Sequence, residues 1–323
     1  MAIIIGSHSP EWGHTYLAEG TGKLYALRSL PEGSCLCIYE MPQTLGSVVT
    51  PDELVCLGEF PTQGQHSCHI TLLEAQAVLS DYTSGTLSLF NLDKEGMPEG
   101  EPQLIKFDGS GPDPIRQACA HIHSSWLAPD GKSLIVVDLG SDRIYRYSIL
   151  NGHIDINTKE TFVLPAGSGP RHCAFNNDKV YVATELSDEV LVYQYPEMHL
   201  LQRIAVNDAK PHGGGHIAIS PDSLYLYVSS RLENDGIATF RIGDKGMLER
   251  NSYQKTHSHP RHFALSEDGS EIVCANRDGN SIEWFKIENG ILDKQMEIHH
   301  DKPVFVIIKH CCPVKVPDDY YKV

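Results

Sequence analysis

One pattern recurs along the chain: a histidine that opens a short apolar strand. It stands at the head of His69-Ile-Thr-Leu-Leu, His123-Ser-Ser-Trp-Leu, His172-Cys-Ala-Phe-Asn, His216-Ile-Ala-Ile-Ser and His262-Phe-Ala-Leu-Ser, at spacings of 54, 49, 44 and 46 residues. A period of this length is that of a four-stranded propeller blade, and self-similarity at a fixed period constrains a fold more tightly than composition does. The stretch after each histidine repeats as well. A turn comes next, such as Pro129-Asp130-Gly131, Pro221-Asp222-Ser223 or Glu267-Asp268-Gly269. There Asp supplies a local hydrogen bond and Gly the positive φ of a tight hairpin. A second strand succeeds it (Ser133–Asp138, Leu224–Ser229), and then a third in which apolar and polar residues alternate (Arg143–Ile149, Gly236–Ile242, Ser281–Ile287). Alternation over five or more residues marks half-buried strands, whereas a helical solenoid needs apolar residues at i, i+3 and i+4.

A sixth unit, without the histidine, runs from Tyr16 through Lys23–Arg28 to Ser34–Tyr39. Two short strands remain, Ala2–Ile5 at the start and Pro303–Lys309 at the end. Pairing them closes a ring and removes its open sheet edges. The expected fold is therefore all-β: a seven-bladed β-propeller closed by its N- and C-terminal strands, with a truncated seventh blade that lacks outer strands. It spans residues 1–310 as a single domain and leaves 311–323 as a C-terminal tail. A hydrophobic content of 41% is enough for such a core.

The formal net charge of −16 argues against nucleic acid or an anionic membrane as partner, yet leaves room for a local arginine cluster that binds a small anion. Nine cysteines without regular spacing or a C-x-x-C pair read as free thiols of a reducing compartment. Cys311 and Cys312 are adjacent, a poor geometry for a disulfide. The N-terminus lacks the basic start and apolar stretch of a secretory signal, so a cytoplasmic location is the default expectation.

Four stretches, in order and at blade spacing, carry a resemblance. They are Arg116-Gln-Ala-Cys-Ala-His121-Ile-His123 with Asp138-Leu-Gly-Ser-Asp142-Arg143; Gly167-Ser-Gly-Pro-Arg171-His172 with Thr184-Glu185-Leu186; Ser220-Pro-Asp222 with Leu226–Arg231; and Pro260-Arg261-His262-Phe263 with Ala275-Asn276-Arg277. Together they resemble the seven-bladed propeller lactonase family, which contains 6-phosphogluconolactonase and carboxy-muconate cycloisomerase. Two features depart from the family pattern. Only Ser7 to Gly13 separates Ile5 from the first repeat, and Gly213-Gly-Gly-His216 stands where the family tends to carry an acidic residue.

The resemblance implies hydrolysis of a sugar-acid lactone, 6-phosphogluconolactone before others, without cofactor or metal and with a small anionic substrate as partner. Lactone opening needs a base for water, a donor for the developing oxyanion and a grip on the substrate. Glu185, His121 and His123 are the candidate bases and Arg171 the oxyanion donor, which makes these four the candidate catalytic residues. Arg231, Arg261, Arg277, His172 and His216 are the candidate substrate-binding residues. Arg28, Asp81, Asp138, Glu185, Arg231 and Arg277, read as the ends of successive second strands, are expected to ring the channel at one level. Which of His121 and His123 faces the channel stays open. A structural alternative assigns the repeated histidines to loop backbone in every blade. Three other functions compete: zinc chemistry on His257, His259 and His262 or on His299 and His300, a carboxy-muconate-type cycloisomerase, and a non-catalytic interaction scaffold recognisable by a flat apolar rim.

Overall fold

The computed structural model describes residues 2–10, 13–20, 22–30, 33–41, 48–208 and 213–309; the expected tail, 311–323, lies outside them. The described chain is built of strands apart from one short 3-10 turn, Pro51–Glu53, and no described helix is long and apolar enough to cross a membrane.

Five sheets have four antiparallel strands each. Blade 2 runs from Ser67–Leu72 to Pro98–Lys106, blade 3 from Ile122–Leu127 to His153–Val163, blade 4 from Pro170–Asn176 to His199–Ala205, blade 5 from Gly214–Ile219 to Leu248–Lys255, and blade 6 from Pro260–Leu265 to Ile291–His299. Blade 1 comprises Gly13–Gly20, Lys23–Leu30, Gly33–Glu40 and Cys56–Pro61. Blade 7 pairs Pro303–Lys309 with Ala2–Ser9, from Ala2↔Lys309 to Ser7↔Pro303. This is the expected closure. Its third strand comes from elsewhere: Val48–Val49, borrowed from the segment between the third and fourth strands of blade 1, lies parallel to Ile3 and Ile4. Among the described residues the seventh blade thus lacks an outer hairpin but does not lack every outer strand, and through His8↔His14 it runs continuously into blade 1. Successive first strands touch around a closed circuit, with Pro303–Lys309 meeting Gly13–Gly20.

The core is divided among seven faces, one between each pair of neighbouring blades. This explains why second strands read as unbroken apolar runs. Leu134 and Val136 pack toward blade 2, while Ile135 and Val137 pack toward blade 4. Each fully buried Val, Leu or Ile contributes about 1.5–3 kcal/mol.

Two regularities of the backbone position the functional residues. The first is a β-bulge on each inner strand. The register skips Cys68, His123, Arg171 and Arg261 in blades 2, 3, 4 and 6, Gly215 and His216 in blade 5, and Val304 in blade 7. In blade 1, Gly13 and His14 share Ser29 as partner. A bulge leaves one residue unpaired and re-aims its side chain. The second is a recurring hydrogen bond: the N–H of Tyr82, Leu139, Glu185, Arg231 and Arg277 donates to the carbonyl of His66, His121, Gly169, Gly213 and His259, respectively.

These regularities correct three expectations. His123 is not equivalent to the other repeated histidines, because Ser124 holds their place in blade 3. Nor do the residues expected at one level form a single set. Asp81 and Asp138 end their second strands, where Thr184, Ser230 and Asn276 are their equivalents; Glu185, Arg231 and Arg277 lie one residue further on. A slip of one residue reverses the face of a strand residue. Asp81 accordingly turns inward to accept hydrogen bonds from Ser67, Thr86 and Ser88, and Asp138 does so from the N–H groups of His121 and Gly140. Finally, four of the repeated histidines do not hold loop backbone. They meet around the channel axis, with ring centroids 5.6 Å apart for His69 and His172, 5.3 Å for His172 and His216, and 4.2 Å for His216 and His262.

Candidate active site

The bulges sort side chains between two mouths of the channel. The bulge residues His14, Cys68, His123 and Arg261 line a cavity of about 350 Å³, together with Tyr16, Ser29, His66, Tyr82, Arg116, Glu185 and Arg231. The residues one position later, His69, His172, His216, His262 and Phe305, line a separate cavity of about 380 Å³ with Trp126. His172 and His216, expected at the substrate site, therefore belong to the opposite mouth. A larger depression of about 520 Å³ lies on outer loops between blades 4 and 5 and contains none of the candidate residues.

Glu185 is the hub of the first cavity. Its Oε1 accepts from Arg116 Nη2 at 2.5 Å, and its Oε2 from Arg231 Nη2 at 2.8 Å and Arg171 Nε at 3.1 Å. Burial alone raises a carboxyl pKa, but Arg231, Arg171 and Arg116 outweigh it and hold Glu185 well below the usual range. Glu185 is thus an ionised anchor with both oxygens engaged, a state that opposes the expected role of general base. Arg171 is 2% exposed, and its Nη1 donates to the Gly215 carbonyl at 2.8 Å. It is not among the residues that line the cavity and instead holds Glu185 and the Gly215 carbonyl, whereas the expectation was an oxyanion donor. Arg231 is fixed further by the carbonyls of Gly213 and Gly214. The glycine run departs from the family pattern for a steric reason: a Cβ on Gly213, Gly214 or Gly215 would lie 2.0–2.3 Å from neighbouring atoms.

Arg116 comes from the long connection 107–121 between blades 2 and 3. Asp113 Oδ1 accepts from the N–H groups of Ile115 and Arg116 and shapes the turn that presents the guanidinium. Arg116 also donates to the Tyr82 hydroxyl at 3.2 Å. Arg261 lines the cavity, hydrogen-bonds the Tyr16 hydroxyl and leaves its buried Nε without a partner.

His121 and His123 take different places. His121 occupies the entry-loop position of His66 and His259, stacks on Tyr82 at 4.4 Å and bonds the Tyr82 carbonyl through Nδ1. His123 lines the cavity, and its buried Nδ1 has no partner. Burial first, then Arg171, hold its pKa well below the usual imidazole value, so the ring is neutral. Arg277 lies aside, paired with Asp278 and beside His259.

The histidines weighed as zinc ligands do not converge. His257 pairs with Glu297, His259 sits among Arg231, Arg277 and Asp278, and His262 stacks on Phe305 at 3.7 Å. His300 bonds Ser7, while the side chain of neighbouring His299 is exposed.

Sequence reasoning missed Tyr16, Tyr82, Arg116, His14 and His66 as cavity residues. Arg116 stands in one of the four motifs, but its reach to a carboxylate 69 residues away in another blade has no local signature. Three guanidiniums on one carboxylate, with Arg261 beside them, make this mouth cationic within an acidic protein, the opposite of a flat apolar rim.

The chain was compared with known proteins. A family model described as "Lactonase, 7-bladed beta-propeller" matches residues 15–308. A 6-phosphogluconolactonase of Formosa agariphila is 32% identical over 247 residues, covering 72% of this chain and 70% of that protein. A 6-phosphogluconolactonase of Bacillus subtilis is 27% identical over 289 residues, covering 84% and 79%. A solved structure from Bacteroides fragilis superimposes with a TM-score of 0.85 at 27% identity, over 94% of this chain and 96% of that one. The periplasmic gluconolactonase of Pseudomonas aeruginosa shares the fold with a TM-score of 0.82 at 19% identity, over 94% and 98%.

Proposed function

The chain belongs to the lactonase family of seven-bladed β-propellers, and from that membership we propose that it hydrolyses a sugar-acid lactone, with 6-phosphogluconolactone as substrate. The observation that carries the reading is the first cavity, in which arginines stand around a neutral imidazole. Guanidiniums offer planar, permanently charged donors to phosphate, carboxylate or oxyanion.

In this mechanism His123 takes the proton of the attacking water as the water oxygen bonds to the lactone carbonyl carbon. Of the candidate bases it alone lines the cavity as a neutral imidazole. The carbonyl oxygen becomes negative and is met by the guanidinium of Arg261, which lines the same cavity. Collapse of the tetrahedral species breaks the ring C–O bond, and the imidazolium returns its proton to the leaving hydroxyl. Arg116 and Arg231 hold the anionic end of the substrate. Glu185 keeps three guanidiniums together at low mutual repulsion, and Arg171 fixes Glu185. A lactone is an activated ester, so general base assistance of about 10²–10⁴-fold is adequate chemistry for a weakly basic imidazole. A phosphorylated substrate and free thiols also support cytoplasmic residence.

The test is steady-state hydrolysis of 6-phosphogluconolactone beside unphosphorylated gluconolactone. His123→Ala is expected to lower kcat on both by about 10²–10⁴-fold. Unchanged kcat on both would remove His123 from the reaction, and a wild-type chain inactive on both lactones would overturn the activity itself.

A further inference from the structure

Outside the channel, one face of blade 1 gathers groups that lactone chemistry does not use. Cys35 and Cys37 alternate on the strand Gly33–Glu40, so both side chains project from the same face. Register places Glu59 of the fourth strand directly opposite Cys37, and Arg28 of the second strand directly opposite Cys35. All four residues therefore share that face. The ligand atoms of Cys35, Cys37 and Glu59 lie within 4.8 Å of one another. Arg28 Nη1 reaches Glu59 Oε2 at 3.1 Å.

This face is turned toward blade 7, where Cys37 and Tyr39 pack with Ile4 and, more loosely, Cys35 with Ile307. Among the described residues blade 7 has no outer hairpin to cover the space beyond. Cys37 is buried, Cys35 is half-buried, and the Glu59 side chain is 50% exposed. The cluster thus has a desolvated floor and an open side through which an ion can enter.

We propose that Cys35, Cys37 and Glu59 bind a divalent cation of the zinc class. Two thiolates and one carboxylate are a donor set that a borderline-soft cation prefers, and a water completes four-coordination. Tetrahedral bonds of about 2.3 Å hold two sulfurs about 3.8 Å apart, which the present spacing reaches by small side-chain rotations. Binding removes one proton from each thiol and delivers both to solvent. Two thiolates, one carboxylate and the cation then leave a single negative charge, and the Arg28 guanidinium balances it while hydrogen-bonding the ligating carboxylate. Such outer partners orient metal ligands in general. A second ligand cluster among the described residues, His257 with Glu283 and Glu297, contains no thiol, and the Lys294 ammonium stands 2.7 Å from both of its carboxylates.

The experiment titrates the full chain, reduced and freed of metal, with Co²⁺ alone. The expected result is one equivalent bound with a thiolate-to-cobalt charge-transfer band in the near ultraviolet, lost on adding Zn²⁺. Cys35→Ser is expected to abolish the band, and Glu59→Gln to weaken Co²⁺ binding at least about tenfold, the scale on which altered metal surroundings act. Cys56→Ser, which changes an exposed thiol on the same strand as Glu59, is expected to leave the band intact. Calorimetry with Zn²⁺ in two buffers should report two protons released. Absence of the band in the wild type, its persistence in Cys35→Ser, or its loss in Cys56→Ser would each overturn the proposal. Lactone hydrolysis by Cys35→Ser is expected to equal that of the wild type, so this site and the channel reading stand or fall separately.

Discussion

Arg231 of blade 5 sets its Nη2 2.8 Å from Oε2 of Glu185 in blade 4, and each residue stands one position beyond the second strand of its own blade. The pair joins the same structural address in two neighbouring sheets. A carboxylate at that address in one blade thereby becomes the counter-ion for the next blade's guanidinium, and Arg171 and Arg116 converge on it from an inner strand and a loop.

Removing the hub charge leaves buried guanidiniums facing one another. Glu185→Gln is expected to cost about 3–5 kcal/mol of stability at neutral pH, the range for breaking a buried ion pair from one side. Because the folded pKa of Glu185 lies below its unfolded value of about 4.3, this contribution is complete above that value and is lost as pH falls through and below it. Asp81 acts in the opposite sense. Burial pushes it up to about 6, so its contribution is largest below about pH 4 and is lost as pH rises through about 6. The difference between wild type and Glu185→Gln in denaturant unfolding isolates the first effect. It should be largest at pH 7 and shrink toward pH 3, and a difference independent of pH contradicts the ion-pair account.

Arg261 is assigned the oxyanion. Arg261→Ala is expected to reduce kcat for both lactones by about 10²–10³-fold with a small change in KM. Arg261→Lys should recover only part of it, since an ammonium lacks the planar fork. A pure rise in KM would transfer Arg261 to substrate binding.

Arg116 is the most exposed of the guanidiniums around Glu185, with 39% of its side chain accessible. If it grips the phosphate, Arg116→Ala should raise KM for 6-phosphogluconolactone about tenfold and leave gluconolactone nearly unchanged, a difference of about 1.4 kcal/mol. Equal effects on both substrates count against that assignment.

The base also fixes a pH profile. His123 is held neutral by burial and by Arg171, and His14, drawn down to about 2 by burial and Arg261, is neutral as well. With unphosphorylated gluconolactone, whose own charge does not change in this range, the profile of kcat/KM should therefore be flat from about pH 5.5 to 7.5, without the inflection near 6.5 of an ordinary histidine. An inflection there would remove His123 as the base.

The ring is legible in the sequence because its signals are local: a turn, an alternating strand and a histidine, repeated at one period. The features that escape are those a single residue decides. The inserted bulge residue looks in sequence like an ordinary change in loop length, so His123 aligns with His172 although Ser124 is the structural counterpart. The second-strand termini differ from the expected ones by the same one-residue margin at Glu185, Arg231 and Arg277. Val48–Val49 is too short to leave any periodic trace, and it pairs with Ile3 and Ile4 rather than with a neighbouring strand of its own blade. Arg171 and Glu185 stand out as residues but not in their physical state, because burial and hydrogen bonding are properties of the assembled ring.

The bulge on the inner strands has an evolutionary corollary. It gives most blades two adjacent positions that address opposite ends of the channel, one at Cys68, His123, Arg171 and Arg261 and the next at His69, Ser124, His172 and His262. The two ends can therefore vary independently, one codon apart, and of these positions Cys68 alone also belongs to an interblade core. A lineage can retain the arginine-rich end while the histidine-rich end drifts toward another ligand, or the reverse. Deleting the extra residue in any one blade would move that blade's contribution from one end to the other in a single step.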